Sequence, residues 1–206
     1  MSQRADQILL ASRNPKKLAE LRRILGPELP HLDVLGLDDV ARYDEAPETG
    51  ATFAENALAK ARDGFAHSGV CTIADDSGLA VDALNGMPGV LSARWSGRHG
   101  DDEANLRLVL AQLGDTPDER LGAAFICAAA LVGPDGETAV EGRMSGRLVR
   151  EPRGDNGFGY DPIFLADGLD LTNGELAPAE KDAISHRGQA LRALAEYLAK
   201  TEGDEL

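Results

Sequence analysis

Little in this chain of 206 residues marks it as secreted, membrane-bound or built to hold a polynucleotide. It has two cysteines, Cys71 and Cys127, each inside an apolar run, and no C-x-x-C pair or other metal spacing. Both read as buried free thiols. No apolar stretch approaches a membrane span, and the run from Ile8 to Ala11 behind Arg4 is too short for a signal-peptide core. A cytoplasmic location is the expectation. Positive charge is scarce: 21 Lys and Arg stand against 35 Asp and Glu, a net charge of −14. Nucleic-acid polymers and anionic membranes are gripped by clustered cations, so no nucleic-acid polymer and no membrane is expected as partner. A small anion is not excluded, because it needs only a few cations and backbone N–H groups. The few Lys and Arg should then gather where it sits. G-x-x-x-x-G-K-[ST], G-x-G-x-x-G and G-x-S-x-G are all missing, which disfavours P-loop ATPases, dinucleotide-binding folds and serine hydrolases with a nucleophile elbow.

What is present is an alternation of apolar runs and helical periods, without repeats or low-complexity segments, in a length that fits one domain over residues 1–206. Residues 7–11 read as a buried first strand. Asn14 then caps a helix with Pro15 at its first position, and Gly26-Pro27 stops it. Residues 34–37 form a short strand. Thr52 and Glu55 match a capping box, opening a helix to about Ser68 with Phe53, Ala57, Ala61 and Phe65 on one face. Residues 70–74 form a central strand that delivers Asp75-Asp76-Ser77-Gly78 at its end, and residues 79–84 a further extended segment. A helix over 101–113, a hairpin over 123–132 and 138–149 around Gly133-Pro134-Asp135-Gly136, and a last helix over 187–200 complete the pattern. Residues 201–206 form a short acidic tail.

Four segments carry chemistry. Ser12-Arg13-Asn14-Pro15-Lys16-Lys17 lies at a strand-to-helix junction, where free N–H groups and the helix dipole suit phosphate, and Lys17 can fold back toward that end. Asp75 and Asp76 place two carboxylates at a strand end, tolerated if a cation binds, if one is exposed, or if one is protonated. Hard Mg²⁺ takes such carboxylates together with phosphate oxygens and water. The loop 154–161 combines three glycines with Phe158 and Tyr160, in a chain with only five Phe, three Tyr and one Trp, and suits close approach to a base. Residues 181–187 crowd Lys181, Ser185, His186 and Arg187 together. A weaker acidic set, Glu45, Glu48 and Glu55, precedes or enters the second helix, with Glu48 a possible second metal ligand and Asn56 a buried polar residue. Each segment also has a plain structural reading: a capped helix, an Asp-Ser-Gly turn, a tight turn with a core Phe, a capping Ser185. Spacing alone leaves both open.

Their order across the chain is more specific. Ser12-x-Asn14-x-x-Lys17 is followed by Glu48-Thr49-Gly50-x-Thr52-Phe53-x-Glu55-Asn56-Ala57-x-x-Lys60-Ala61, then by Asp75-Asp76-Ser77-Gly78-Leu79 and Pro88-Gly89-x-x-Ser92-Ala93-Arg94. Gly157-Phe158-Gly159-Tyr160-Asp161-Pro162-x-Phe164 and Ser185-His186-Arg187-x-x-Ala190-Leu191 close the series. In this the chain resembles, over nearly its whole length, the inosine-triphosphate pyrophosphatase family, the dITP/XTP pyrophosphatases.

The resemblance implies an α/β fold, an elongated mixed sheet flanked by helices in two lobes with a central active-site cleft. It implies hydrolysis of ITP, dITP or XTP to the monophosphate and pyrophosphate, with Mg²⁺ as cofactor and a homodimer as the assembly. By the same resemblance Ser12, Arg13, Asn14, Pro15, Lys16 and Lys17 bind the triphosphate. Asp76 is proton acceptor and Mg²⁺ ligand, and Ser77 contacts substrate. Phe158, Gly159, Tyr160 and Asp161 hold base and sugar, and Lys181, His186 and Arg187 read the 6-oxo edge. Two positions depart from the family pattern. Arg13 stands where glycine is common. Ala177-Pro178 stands where Thr or Ser often caps the helix before Lys181, a cap whose loss costs about 1 kcal/mol. A pyrophosphatase for modified pyrimidine nucleotides and a non-catalytic nucleotide sensor are the competing readings.

Overall fold

The computed structural model describes residues 6–44 and 47–203; Arg4, Glu45 and the end of the acidic tail, residues 204–206, lie outside them. The elements are β1 (Gln7–Leu10), α1 (Pro15–Glu28), β2 (Asp33–Leu35), α2 (Phe53–Ser68), β3 (Thr72–Val81), α3 (Asp102–Gln112), β4 (Gly122–Gly133), β5 (Gly136–Leu148), β6 (Phe164–Ala166), α4 (Pro178–Ile184) and α5 (His186–Gly203). The strands form one mixed sheet in the order β2-β1-β3-β4-β5-β6, so the fold is α/β with helices flanking a mixed sheet. β1 runs parallel to β2 and β3, and β5 antiparallel to β6.

The chain divides into two compact units. One comprises the residues up to Asp76, Cys127–Gly142 and the residues from Arg187 on; the other comprises Ser77–Ile126 and Arg143–His186. The first unit packs Ile8, Leu10, Leu21, Leu25, Ile73, Leu191 and Leu194 into its core. These are the inward positions of β1, α1, β3 and α5, at helical spacing in the helices. The second unit is centred on Leu79, Val81, Leu106, Val109, Phe125, Leu148, Ile163 and Phe164. The boundary falls within β3, after Asp76, so chain connectivity alone makes Asp76 and Ser77 neighbours.

Most local expectations hold. Asn14 caps α1 by accepting from the Lys16 N–H at 2.9 Å. Thr52 Oγ1 accepts from the Glu55 N–H at 3.1 Å, while the Glu55 carboxylate reaches the Ala51 N–H, one residue outside the usual box. Ala177 has no acceptor to cap α4, yet Glu180 supplies the reciprocal half by accepting the Ala177 N–H at 3.0 Å.

Four expectations shift. Gly26-Pro27 does not end α1, which continues to Glu28. Pro27 sits in the final turn, where it removes one hydrogen bond, and Leu29 closes that turn by donating to Leu25 O at 2.8 Å. β2 ends at Leu35, and Leu37 instead enters a short 3-10 turn, Leu37–Asp39. α5 begins at His186 and reaches Gly203. Most consequentially, the strand expected to stop before Asp75 is continuous with the segment after it. β3 runs unbroken from Thr72 to Val81, so the two aspartates lie mid-strand, and their side chains alternate to opposite faces rather than sharing a strand end.

Candidate active site

In the first unit, β3, α1, α2 and the start of α5 converge on the two aspartates. Asp75 is 4 % exposed, and its Oδ2 meets the Lys17 ammonium at 2.8 Å and Arg187 Nε at 3.2 Å. Arg187 Nη1 in turn donates to Glu20 at 2.8 Å, so a buried network joins α1, β3 and α5. Burial by itself would raise the Asp75 carboxyl, but Lys17 and Arg187, with Lys60 beyond them, outweigh it and hold the group well below the usual carboxylate range. Arg187 is driven upward: burial lowers it, and the Asp75 and Glu20 carboxylates more than offset that.

Asp76 has different company. Asn56, 1 % exposed on α2, donates its side-chain N–H to Asp76 Oδ2 at 2.9 Å and fixes its own orientation by accepting the Gly50 N–H at 2.7 Å. One helical turn on, the Lys60 ammonium lies 2.8 Å from Glu48 and 3.5 Å from Asp76. Burial pushes the Asp76 carboxyl up; Lys60 and the Asn56 hydrogen bond pull it down, Glu48 adds to the rise, and the net direction is upward. Asp76 is thus the carboxylate whose proton is held closer to neutrality, whereas Asp75 is locked as an anion.

The helix start is arranged less openly than the sequence suggested. The Asn14 N–H donates to Ser12 Oγ at 3.2 Å, Pro15 brings no N–H, and Lys16 spends its own on the cap. Arg13, Pro15 and Lys16 are exposed, Ser12, Asn14 and Lys17 half-buried. Lys17 turns its ammonium onto Asp75 rather than back toward the helix start.

The second unit holds a cavity of about 100 Å³ bordered by Ser77, Phe158, Tyr160, Asp161, Lys181 and His186, among others. Asp161 organises it. Its Oδ2 accepts from the Phe158 N–H at 2.8 Å and from the Lys181 ammonium at 2.5 Å, and its Oδ1 accepts from Asn173 at 3.2 Å. Lys181 is held 5.1 Å from the centroid of the Phe158 ring, within cation–π range. Tyr160 donates its hydroxyl to Ser92 O at 2.8 Å, and the His186 ring stacks on Phe125 with centroids 4.9 Å apart. Gly157 has φ +77°, and a Cβ there would collide with Asp161 Oδ2, so only glycine lets the loop close on that carboxylate.

The sequence matches the model of the Ham1 family over residues 8–197. The chain belongs to the Ham1 family. It is 65% identical over 195 residues to a dITP/XTP pyrophosphatase of Nocardia farcinica, covering 94% of this chain and 95% of that one. A crystal structure described as a nucleoside-triphosphatase / dITP/XTP pyrophosphatase from Mycobacterium abscessus is 63% identical, with a TM-score of 0.76, covering 91% of this chain and 98% of the other. The Staphylococcus aureus Ham1 protein, at 38% identity, superposes with a TM-score of 0.86 and covers 95% and 99%.

In this Ham1 chain the sequence-predicted residues fall into two groups. Ser12 to Lys17, Glu48, Asp76 and Arg187 belong to the first unit, and Ser77, Phe158 to Asp161, Lys181 and His186 to the second. Arg187, which the resemblance assigns to the 6-oxo edge, donates to Glu20 and Asp75. The sequence reading makes Asn56 only a buried polar residue, which it is, and gives Lys60 no role. Their i, i+4 spacing on α2 was the available signal, since it stacks the amide and the ammonium on one helix face.

Proposed function

We propose that this chain hydrolyses non-standard purine nucleoside triphosphates, ITP, dITP and XTP, to the monophosphate and pyrophosphate, with Asp76 as proton acceptor. The reading rests on Asp76 and Glu48 sharing the Lys60 ammonium. Two oxygen donors drawn to one cation are the donor chemistry of a hard divalent ion. Among the described residues no cluster of three or more Asp, Glu, His or Cys could hold a metal. Two carboxylates suit Mg²⁺, which completes its shell with substrate phosphates and water. Asp76 and Glu48 would hold it, and when bound it would neutralise charge developing on the phosphates.

The chain's own groups supply the rest. Asp76, its pKa raised by burial, takes a proton from the attacking water. The water oxygen bonds to the α-phosphorus, the α–β bridging bond breaks, and pyrophosphate carries away the electron pair. Asn56 holds the Asp76 carboxylate in one rotamer by its 2.9 Å bond. Lys60 is placed to balance the phosphate charge, with Lys16 and Arg13 as the exposed cations of the helix start. In the second unit the base stacks against Phe158. An ammonium has three N–H groups, and Asp161 engages Lys181 through one, leaving donors for O6 of hypoxanthine or xanthine. Adenine presents an amino donor at that position and meets donor with donor. The same reading makes Mg²⁺ the cofactor, the homodimer the assembly and the cytoplasm the compartment.

The test is product identification. With Mg²⁺, ITP, dITP and XTP should give the monophosphate and pyrophosphate, with ATP a poor substrate. IDP plus inorganic phosphate, or no turnover, overturns the proposal.

A further inference from the structure

Phe158 is 36 % exposed, in a loop carrying glycines on both sides. A ring so placed keeps one position only if the backbone around it is held. Its own N–H is held by Asp161. The next N–H, that of Gly159, donates at 2.9 Å to Oδ2 of Asp102, 57 residues earlier in the chain. Two carboxylates from separate elements therefore grip consecutive amides on either side of the ring.

Asp102 is a first-turn acid of α3 and favours the helix dipole there, but it is not the residue that caps the helix. The preceding residue, Asp101, already caps α3 by accepting the Ala104 N–H at 3.2 Å. The helix itself is a firm mount. Leu106 and Val109 are buried in the unit's core, and Asn105 accepts the Ser96 N–H at 2.7 Å while donating to Ala93 O at 3.2 Å. Asp102 borders the same cavity as Phe158, Tyr160 and Lys181. After burial, its charge is the next cause raising the Tyr160 hydroxyl. A hydrogen bond to an ionised acceptor is about twice as strong as a neutral one, enough to choose among conformations of a glycine-rich loop.

We propose that Asp102 is a positioning residue for the base: by holding the Gly159 N–H it sets the Phe158 ring in the geometry that stacks on the purine. This rests on the reading of the second-unit cavity as the base pocket. Asp102 acts through the loop, so it governs affinity for the substrate more than the rate of the bound complex.

The experiment compares Asp102→Ala, Asp102→Asn and Glu103→Ala with wild type, using ITP and Mg²⁺. Glu103→Ala removes the neighbouring acid from the same helix turn without touching Gly159. Asp102→Ala should raise KM for ITP roughly tenfold, as expected for losing one hydrogen bond to a charged group, with kcat within about twofold. Asp102→Asn keeps a neutral acceptor oxygen, about half as strong, and should recover part of the loss, and Glu103→Ala should match wild type. Hydrogen exchange without substrate should be faster in residues 154–161 of Asp102→Ala only. A wild-type KM in Asp102→Ala overturns the proposal. So does an equal rise in Glu103→Ala, or an Asp102→Asn no better than Asp102→Ala, since either assigns the effect to charge. If the wild type does not cleave ITP, the function reading fails by itself, and the exchange rates of residues 154–161 still decide whether Asp102 clamps the loop.

Discussion

Asp75 and Asp76 are consecutive in β3, yet one carboxylate binds Lys17 and Arg187 while the other binds Asn56 and lies beside Lys60. Strand alternation separates them, and their surroundings move their pKa values in opposite directions. Environments that push two acids apart in this way assign them different tasks: a fixed anion that ties elements together, and a carboxylate able to exchange a proton.

Asp76→Asn should lower kcat for ITP by about 10²–10⁴-fold, the usual worth of positioned proton transfer. Without Mg²⁺ the Asp76 carboxyl should titrate above 3.8, the ordinary value for the group, because burial raises it. Folding raises this pKa, so the folded chain holds the proton more tightly than the unfolded one. The Asp76 contribution to stability is then full below pH 3.8 and is lost as pH rises through the folded pKa. Asp76→Asn should accordingly be at least as stable as wild type at neutral pH, as read from urea denaturation.

Asp75→Asn should do the reverse. Removing one partner of a buried ionic network leaves the others uncompensated, at a cost of about 3–5 kcal/mol. Here the folded pKa is depressed, so the stabilisation is present above 3.8 and is lost only as pH falls through the much lower folded value. The gap between wild type and Asp75→Asn in denaturant midpoint should persist across the neutral range and narrow only in strong acid.

Glu48→Gln removes one of the two carboxylates around the shared cation position. The half-saturating Mg²⁺ concentration for turnover should rise by roughly tenfold or more, a scale typical of perturbed metal sites. Chelation of Mg²⁺ should abolish wild-type turnover. An unchanged Mg²⁺ requirement in Glu48→Gln would remove Glu48 from the ligand set.

Gly157→Ala and Gly159→Ala separate backbone strain from site geometry. Both glycines have positive φ, but only at Gly157 does an added Cβ meet a neighbour, Asp161 Oδ2; nothing lies within 4 Å at Gly159. Each substitution should cost about 1–3 kcal/mol of stability from the left-handed backbone. Gly157→Ala should additionally raise KM for ITP, because it displaces the carboxylate that holds Lys181 and the Phe158 N–H.

Much of the local structure was legible in the chain because it obeys short-range rules. Asn14 before Pro15, Thr52 before Glu55, the hairpin at Pro134-Asp135 and the apolar period of α5 each place an element from a few neighbouring residues. The largest departure has a tertiary cause. Asp75-Asp76-Ser77-Gly78 looks like a strand terminus because acids, Ser and Gly are poor strand formers, whereas β3 runs through them. Propensity yields there to tertiary partners: Lys17, Arg187 and Asn56 satisfy the carboxylates. Gly78 also lets the 89–92 turn approach so closely that a Cβ would collide with Ser92 Oγ.

The sequence by itself determined the α/β class, the order of the motifs and a first set of candidate site residues, since these depend on spacing and residue type. The tertiary structure decided how those residues divide. It sent Asp75 and Asp76 to opposite faces of one strand and turned Lys17 and Arg187 into partners of Asp75. It brought Asn56 and Lys60 to Asp76, and fastened Gly159 to Asp102. Partners as distant as Asp75 and Arg187 are separated by 112 residues. No local pattern encodes such a pairing, which exists only once the elements carrying both side chains have packed.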